Sequence, residues 1–143
     1  MNKSGPVVII EDNPDDKVIF AEIFKKLDYK NEIIFFKDGD AALEYLNKSD
    51  VAPFLILSDI KLPKFNGFEL RQKIHCMEKL HLKCIPYLFF TPHADKKSVI
   101  DAYSMSVQGF FVKPESYEKL GATIQKIMEY WKECNAPSDY GDS

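Results

Sequence analysis

Five short apolar runs separated by stretches of helical periodicity constrain the fold more than any other feature of this chain. The runs are three to six residues long, too short for helices, and rich in β-branched and aromatic side chains. They cover residues 7–10, 33–36, 54–57, 85–90 and 110–112. Continuous apolar runs of this kind are typical of strands that are buried on both faces of a parallel sheet.

The stretches between these runs place apolar residues on one helical face. After the first run, the spacing i, i+3, i+4, i+7 is filled by Phe20, Ile23, Phe24 and Leu27. The preceding Asn13-Pro14 pair favours a helix start, because asparagine accepts free amides and proline suits the first helical position. Further helices are predicted to begin at residues 38–40, near Gly67, near Asp95 and after Lys113-Pro114. Their inward-facing residues include Met77, Tyr103 and Trp131.

Five strands that alternate with five helices predict an α/β fold with a doubly wound parallel sheet covered on both faces. The crossovers between parallel strands are expected to be right-handed. The length of 143 residues fits one domain, and 45% hydrophobic with 29% charged residues is the balance of a globular chain.

Composition and the start of the chain argue against several classes of protein. The formal net charge is −3, from 19 Lys and Arg against 22 Asp and Glu, whereas nucleic-acid binding needs a clustered basic surplus. No apolar run approaches the ~20 residues of a membrane helix, so membrane insertion is not expected. Residues 1–6 lack the cleavage site of a signal peptide, and we therefore expect a cytoplasmic protein. Cys76, Cys84 and Cys134 fit neither a disulfide framework nor a zinc site, and reduced thiols are expected.

Residues capable of chemistry come directly after the apolar runs. Glu11 and Asp12 follow the first run, and the third ends at Ser58-Asp59. Thr91 ends the fourth run, and Lys113 follows the fifth. In an open parallel sheet, ligands bind outside the carboxyl ends of the strands, where the strand order reverses. We therefore expect these residues to meet at one edge of the sheet.

The three carboxylates in this group indicate a metal site, because clustered carboxylates repel one another unless a cation neutralises them. A site with oxygen ligands and without His or Cys selects a hard ion such as Mg²⁺ or Mn²⁺. Mg²⁺ pairs with phosphoryl oxygens, and a lysine and a threonine hydroxyl complete a site for a phosphoryl group. Taken singly, each residue is more often an ordinary polar loop residue, and only the combination favours phosphoryl chemistry.

Several motifs occur together in one order along the chain. They are Ile9-Ile10-Glu11-Asp12-Asn13, Leu57-Ser58-Asp59-Ile60-Lys61-Leu62-Pro63, Asn66-Gly67, Thr91 and Gly109-Phe110-Phe111-Val112-Lys113-Pro114. With this combination the chain resembles a stand-alone response regulator receiver domain and is similar to the single-domain chemotaxis response regulators. The resemblance covers roughly residues 6–133, and the set of motifs is far more specific than any one of them.

The resemblance implies a flavodoxin-like sheet of order 2-1-3-4-5 and a role for each matching residue. Asp59 would be the phosphoacceptor, and Lys113 would contact the phosphoryl group. Thr91 would move towards the phosphoryl group on activation, and Phe110 would be the aromatic switch coupled to it. Such a domain is a phosphoacceptor switch and not an enzyme, although it assists its own phosphotransfer and autodephosphorylation.

The resemblance also implies a metal site and partners. Mg²⁺ would be held by Asp12 directly, by Glu11 through water, by Asp59, and by the backbone carbonyl of Lys61. The implied phosphoryl donor is a sensor histidine kinase or a phosphotransfer protein, and the implied output is contact with a downstream target protein.

Other proteins with similar sheets agree less well with the sequence. A haloacid-dehalogenase phosphatase needs a second aspartate two positions after its nucleophile, where this chain has Lys61. The P-loop motif of NTPases and the glycine-rich turn of dinucleotide binders are both absent. The acid pair after the first strand would repel the phosphate of a flavodoxin-like carrier. The alternative that stays open is a degenerate receiver, a binding module that works without phosphorylation.

Residues 1–133 are assigned to the receiver domain, and residues 134–143 to a short polar tail that is expected to fray and to contain no output domain.

One position departs from the family pattern. The residue after Thr91 is usually small and its N–H reaches a phosphoryl oxygen, whereas here it is Pro92, which has no N–H.

Overall fold

The computed structural model describes residues 1–141 and contains a five-stranded parallel sheet with the order β2-β1-β3-β4-β5. The strands are β1 (Val7–Ile10), β2 (Ile33–Phe36), β3 (Leu55–Ser58), β4 (Tyr87–Thr91) and β5 (Gly109–Val112). All neighbouring strands pair in parallel. The predicted doubly wound α/β fold and its strand order are therefore confirmed.

Six α-helices connect and follow these strands within the described residues. They are α1 (Pro14–Leu27), α2 (Gly39–Lys48), α3 (Gly67–Cys76), α4 (Glu78–His81), α5 (Lys96–Ser104) and α6 (Tyr117–Glu133). The predicted helix starts are confirmed by their caps, since the side chains of Asn13, Asp38, Asn66, Asp95 and Ser116 each accept a hydrogen bond from an amide of the first turn.

The prediction of five helices is wrong because the third helical pattern is divided in two. Met77 has extended backbone angles and separates α3 from the single turn of α4. Two lysines from this region bind carbonyls at the end of α2: the ammonium of Lys79 donates to Asn47 at 2.7 Å and that of Lys83 to Ser49 at 2.9 Å. These contacts cap the C-terminus of α2 from another part of the chain, and hydrophobic periodicity contains no sign of them.

The two faces of the sheet bury separate hydrophobic clusters. Along β1, Val7 and Ile9 belong to a cluster with α1 and α6, whereas Val8 and Ile10 belong to one with α2, α3 and α5. Burial on both faces holds for β1, β3 and β4. The edge strands β2 and β5 are only partly buried, and Val112 of β5 is 50% exposed, which corrects the expectation for those two runs.

Two side chains on the later helices differ in how far they are buried. Tyr103 was expected to face inward, but its side chain is 55% exposed and α5 buries Ala102 instead. Trp131 is partly buried and packs against the cluster between the sheet, α1 and α6, as predicted.

The tail from residue 134 to residue 141 is ordered, so the prediction that it frays is wrong there. A 3₁₀ turn spans Pro137–Tyr140, and Ala136 is buried. The carboxylate of Asp139 accepts a hydrogen bond from the amide of Ala136 at 2.8 Å and forms an ion pair with Lys3 at 2.9 Å. Residues 142 and 143 lie outside the described residues. Throughout residues 1–141, no helix has both the length and the apolar character needed to span a membrane.

Candidate functional site

The register of the sheet brings the ends of four strands to one edge. Ile10 of β1 lies opposite Ser58 of β3, so Glu11 and Asp59 leave neighbouring strands at the same level. Thr91 of β4 lies opposite Val112 of β5, and the amide of Lys113 donates to the carbonyl of Thr91 at 2.7 Å. The predicted grouping of Glu11, Asp59, Thr91 and Lys113 is therefore present.

The ammonium of Lys113 is the centre of this group. It forms an ion pair with the carboxylate of Glu11, lies 3.3 Å from Oδ2 of Asp16, and lies 3.6 Å from Oδ2 of Asp59. The side chain of Lys113 is only 9% exposed. Three carboxylates thus surround one largely buried cation, which lowers their mutual repulsion.

Burial and the neighbouring charges act in opposite directions on the pKa values of both Glu11 and Lys113. Burial raises the pKa of Glu11 above its usual value, although the hydrogen bond and charge of Lys113 act to lower it. Burial alone would lower the pKa of Lys113, but the hydrogen bond and charge of Glu11, with the charges of Asp59 and Asp16, raise it. Lys113 therefore remains an ammonium at neutral pH.

Asp59 is buried, and its two carboxylate oxygens have different surroundings. Oδ1 accepts a hydrogen bond from the amide of Ile60 at 2.7 Å, whereas Oδ2 faces Lys113. The amide of Gly67 donates to the carbonyl of Ile60 at 2.8 Å, which folds the segment after Asp59 tightly against the start of α3. This arrangement fixes the carboxylate in one orientation.

Asp59 and Thr91 line the same cleft, which has a volume of about 260 Å³. Lys61, Pro92, His93 and Asp95 contribute further to its walls. Thr91 is buried at the end of β4, and its side chain carries a hydroxyl group. The walls of this cleft therefore include a buried residue with a carboxylate and a buried residue with a hydroxyl group.

Asp12 lies apart from the lysine-centred group. It is exposed and borders a second, shallower cleft with Lys61, Pro63 and Asn66, so that Lys61 borders both clefts. Within residues 1–141, no three side chains of His, Cys, Asp or Glu are close enough together to hold a metal ion. The structure thus brings Glu11 and Asp59 together around Lys113 and leaves Asp12 outside. The donors in and around the site are oxygens, which fits a hard divalent cation.

Phe110 lies on β5 opposite Phe89, with 6.0 Å between the ring centroids. Its side chain is half-buried and packs against the cluster on the α2, α3 and α5 face of the sheet. Phe89 also packs edge-on against Phe68 at 5.1 Å. Phe110 therefore extends an aromatic row that leads from the interior to the edge of β5.

Sequence reasoning missed Asp16. The first turn of α1 contains two acids, Asp15 and Asp16, which the helix dipole favours equally, and nothing in the local pattern distinguishes them. Only Asp16 reaches Lys113. The signal needed to identify it is the orientation of α1 relative to β5, which is a property of the folded sheet.

Comparison with known proteins agrees with this geometry. The model of the response regulator receiver domain matches residues 7–125. The probable methanogenesis regulatory protein FilR2 of Methanothrix harundinacea is 32% identical, over 87% of this chain and 82% of its own. Response regulator Rcp1 of Synechocystis is 29% identical, over 92% of both chains.

Solved structures show the same fold. The phosphorylated cyanobacterial phytochrome response regulator RcpA superposes with a TM-score of 0.83 at 25% identity, over 92% of this chain and 97% of that one. The Mn²⁺-bound form of Rcp1 gives a TM-score of 0.79 at 27% identity, with the same coverage. Receiver domains take part in signalling with histidine kinases or phosphotransfer proteins and act as phosphoacceptor switches. With its family match, its sheet order and a buried aspartate beside a lysine at the carboxyl edge, this chain belongs to the response regulator receiver domains of two-component signalling.

Proposed function

We propose that this chain is a stand-alone response regulator in which Asp59 accepts a phosphoryl group and thereby changes a protein-binding surface. The observation that supports this most directly is the state of Asp59. One of its oxygens is bound by the Ile60 amide, the other faces the Lys113 ammonium, and the residue opens into a cleft shared with Thr91. Rcp1, which is matched over 92% of its own length, is itself a response regulator.

The proposed reaction forms a bond between Oδ2 of Asp59 and phosphorus, while the bond between phosphorus and the donor's imidazole nitrogen breaks. The donor is a sensor histidine kinase or a phosphotransfer protein. Lys113 neutralises charge that develops on the phosphoryl oxygens. The reaction leaves an acyl phosphate on Asp59, and its hydrolysis returns the carboxylate.

The residue types fit a requirement for Mg²⁺ or Mn²⁺, and binding the ion would draw the side chain of Asp12 towards those of Glu11 and Asp59. Glu11, Asp12 and Asp59, with the backbone carbonyl of Lys61, would hold the ion. The bound ion supplies positive charge that offsets the charge of the carboxylates and of the phosphoryl group. The Mn²⁺-bound form of Rcp1 supports this assignment.

The proposed output depends on the hydroxyl of Thr91 and on Phe110. A phosphoryl oxygen on Asp59 would accept a hydrogen bond from that hydroxyl, and Thr91 would move towards it. The space vacated at the end of β4 would allow Phe110 to turn inward. This is a two-state change driven by a new charge, and a downstream target protein would bind the changed surface.

Cys76, Cys84 and Cys134 are free thiols, which supports a reducing compartment such as the cytoplasm.

The test is the response to acetyl phosphate and to beryllofluoride in the presence of Mg²⁺, followed by amide NMR. The wild-type protein should respond, and Asp59→Asn should not. A matched control is Asp38→Asn, because Asp38 also follows a strand at this edge and asparagine caps α2 as well as aspartate does. Asp38→Asn should respond like the wild type. If the wild-type protein fails to respond, the chain is a binding module that works without phosphorylation.

A further inference from the structure

Asp16 contacts the lysine of the phosphorylation site although the family resemblance assigns it no role. Its Oδ2 lies 3.3 Å from Nζ of Lys113. It is also the more solvent-accessible of the two carboxylates that bind this ammonium, at 34% exposed against 3% for Glu11. A cavity of about 310 Å³ borders Asp16, Lys113 and Pro92, so the carboxylate of Asp16 has open space beside it.

The neighbouring Asp15 shows that this contact is specific. Both aspartates lie in the first turn of α1, and the amides of both donate to Oδ1 of Asn13, at 2.9 Å for Asp15 and 3.4 Å for Asp16. The helix dipole favours a negative charge equally at either position. Only Asp16 forms an ion pair with Lys113. The effect of this ion pair can therefore be separated from that of a negative charge at the helix start.

An ammonium group has three hydrogens to donate. In Lys113 two of the contacts are hydrogen bonds, to Glu11 and Asp16, while Asp59 lies at 3.6 Å, beyond hydrogen-bond range. A phosphoryl group on Asp59 needs the ammonium to turn towards Asp59. The contact with Asp16 is the easier one to give up, because water can solvate this partly exposed carboxylate once the ammonium leaves.

We propose that Asp16 is a positioning residue that holds Lys113 in the resting arrangement and so opposes its transfer to a phosphoryl group on Asp59. This rests on the proposed function of Asp59. Removing the carboxylate of Asp16 leaves only the hydrogen bond to Glu11 to hold the ammonium in its resting position. Asp16 thus raises the free energy that the domain needs to enter its phosphorylated conformation.

The experiment compares Asp16→Asn with Asp15→Asn in the affinity for beryllofluoride at fixed Mg²⁺, measured by NMR titration. Both variants lose one negative charge in the same helical turn, so general effects on anion and metal binding are shared. We expect Asp16→Asn to bind beryllofluoride about two- to five-fold more tightly than Asp15→Asn, the range of a partly exposed ion pair. Equal affinities, or weaker binding by Asp16→Asn, would overturn the proposal.

A double-mutant cycle tests whether Asp16 acts through Lys113. In a Lys113→Ala background, Asp16→Asn and Asp15→Asn should bind beryllofluoride equally. A difference that persists without the lysine would show that Asp16 acts in another way and would overturn the proposal. Absence of beryllofluoride binding by the wild-type protein would refute phosphorylation of Asp59 and with it the role of Asp16. Wild-type binding with no difference between the two variants would refute the role of Asp16 alone.

Discussion

Replacement of Gly67 by alanine tests how the backbone after Asp59 is held. Gly67 is the first residue of α3, and a methyl group there would collide with the carbonyl oxygen of Asp59. The same methyl would lie 2.9 Å from Cε1 of Phe89 and 3.1 Å from Cα of Ile60. Two of these three neighbours are backbone atoms, so the clash cannot be relieved by rotation of a side chain. Either α3 or the segment at Asp59 must move.

The expected change in stability can be contrasted with that at Gly121, where an added methyl group meets no clash. Overpacking in a well-packed site costs about 1–3 kcal/mol, which exceeds the ~0.4–1 kcal/mol gained when alanine replaces glycine without strain. At Gly121, in α6, the nearest atom to an added methyl is Cγ2 of Ile23 at 4.0 Å, an ordinary contact. Gly67→Ala should therefore lose stability and Gly121→Ala should gain it. At about 3 °C per kcal/mol, the melting temperature should fall by about 2–8 °C in the first variant and rise by about 1–3 °C in the second.

Thermal unfolding followed by circular dichroism measures both variants, and a beryllofluoride titration adds the functional readout. Gly67→Ala should bind the analogue more weakly, because the atom displaced belongs to Asp59 itself. Gly121→Ala should bind it like the wild type. A melting temperature of Gly67→Ala equal to or above that of the wild type would refute the clash, and unchanged analogue affinity would refute the coupling to Asp59.

Four further substitutions test the remaining assignments. Asp12→Ala should abolish Mg²⁺ binding in calorimetry, because it removes a carboxylate ligand, and unchanged binding would place the metal elsewhere. Lys113→Ala should weaken the response to phosphorylation even where the phosphoryl group still transfers, since the neutralising ammonium is gone; a variant that binds its target like the wild type would remove Lys113 from the mechanism. Phe110→Ala should reduce target binding by the phosphorylated protein while phosphorylation of Asp59, measured separately, stays largely intact; equal losses would make Phe110 a core residue only. Pro92→Ala restores an amide donor and should raise beryllofluoride affinity about tenfold, from the ~1.5 kcal/mol of one charge-assisted hydrogen bond, and titration without any gain would show that the missing N–H does not limit the switch.

Much of the fold could be predicted from the sequence because parallel strands buried on both faces are continuous apolar runs. Once the strands are known, their parallel register brings Glu11, Asp59, Thr91 and Lys113 together without further information. The helix starts could be predicted too, because capping is a local interaction between residues three positions apart or fewer.

The parts that were not predicted depend on contacts between distant segments. Met77 ends α3 where Lys79 and Lys83 bind the end of α2, and the ordered tail depends on the ion pair of Asp139 with Lys3. The role of Asp16 depends on how α1 approaches β5. None of these contacts leaves a periodic or compositional pattern in the sequence.

The contact between the tail and the beginning of the chain has a consequence for synthesis on the ribosome. Asn31 donates to the carbonyls of Lys3 and Gly5 and accepts from Lys132 of α6, and Asp139 binds Lys3 directly. The first-made strand, β1, is an interior strand of the sheet and pairs with β2 and β3. The residues before β1 therefore lack part of their contacts until α6 and the turn after it have left the exit tunnel. These contacts join residues that are far apart in the sequence, and such contacts slow the completion of a fold.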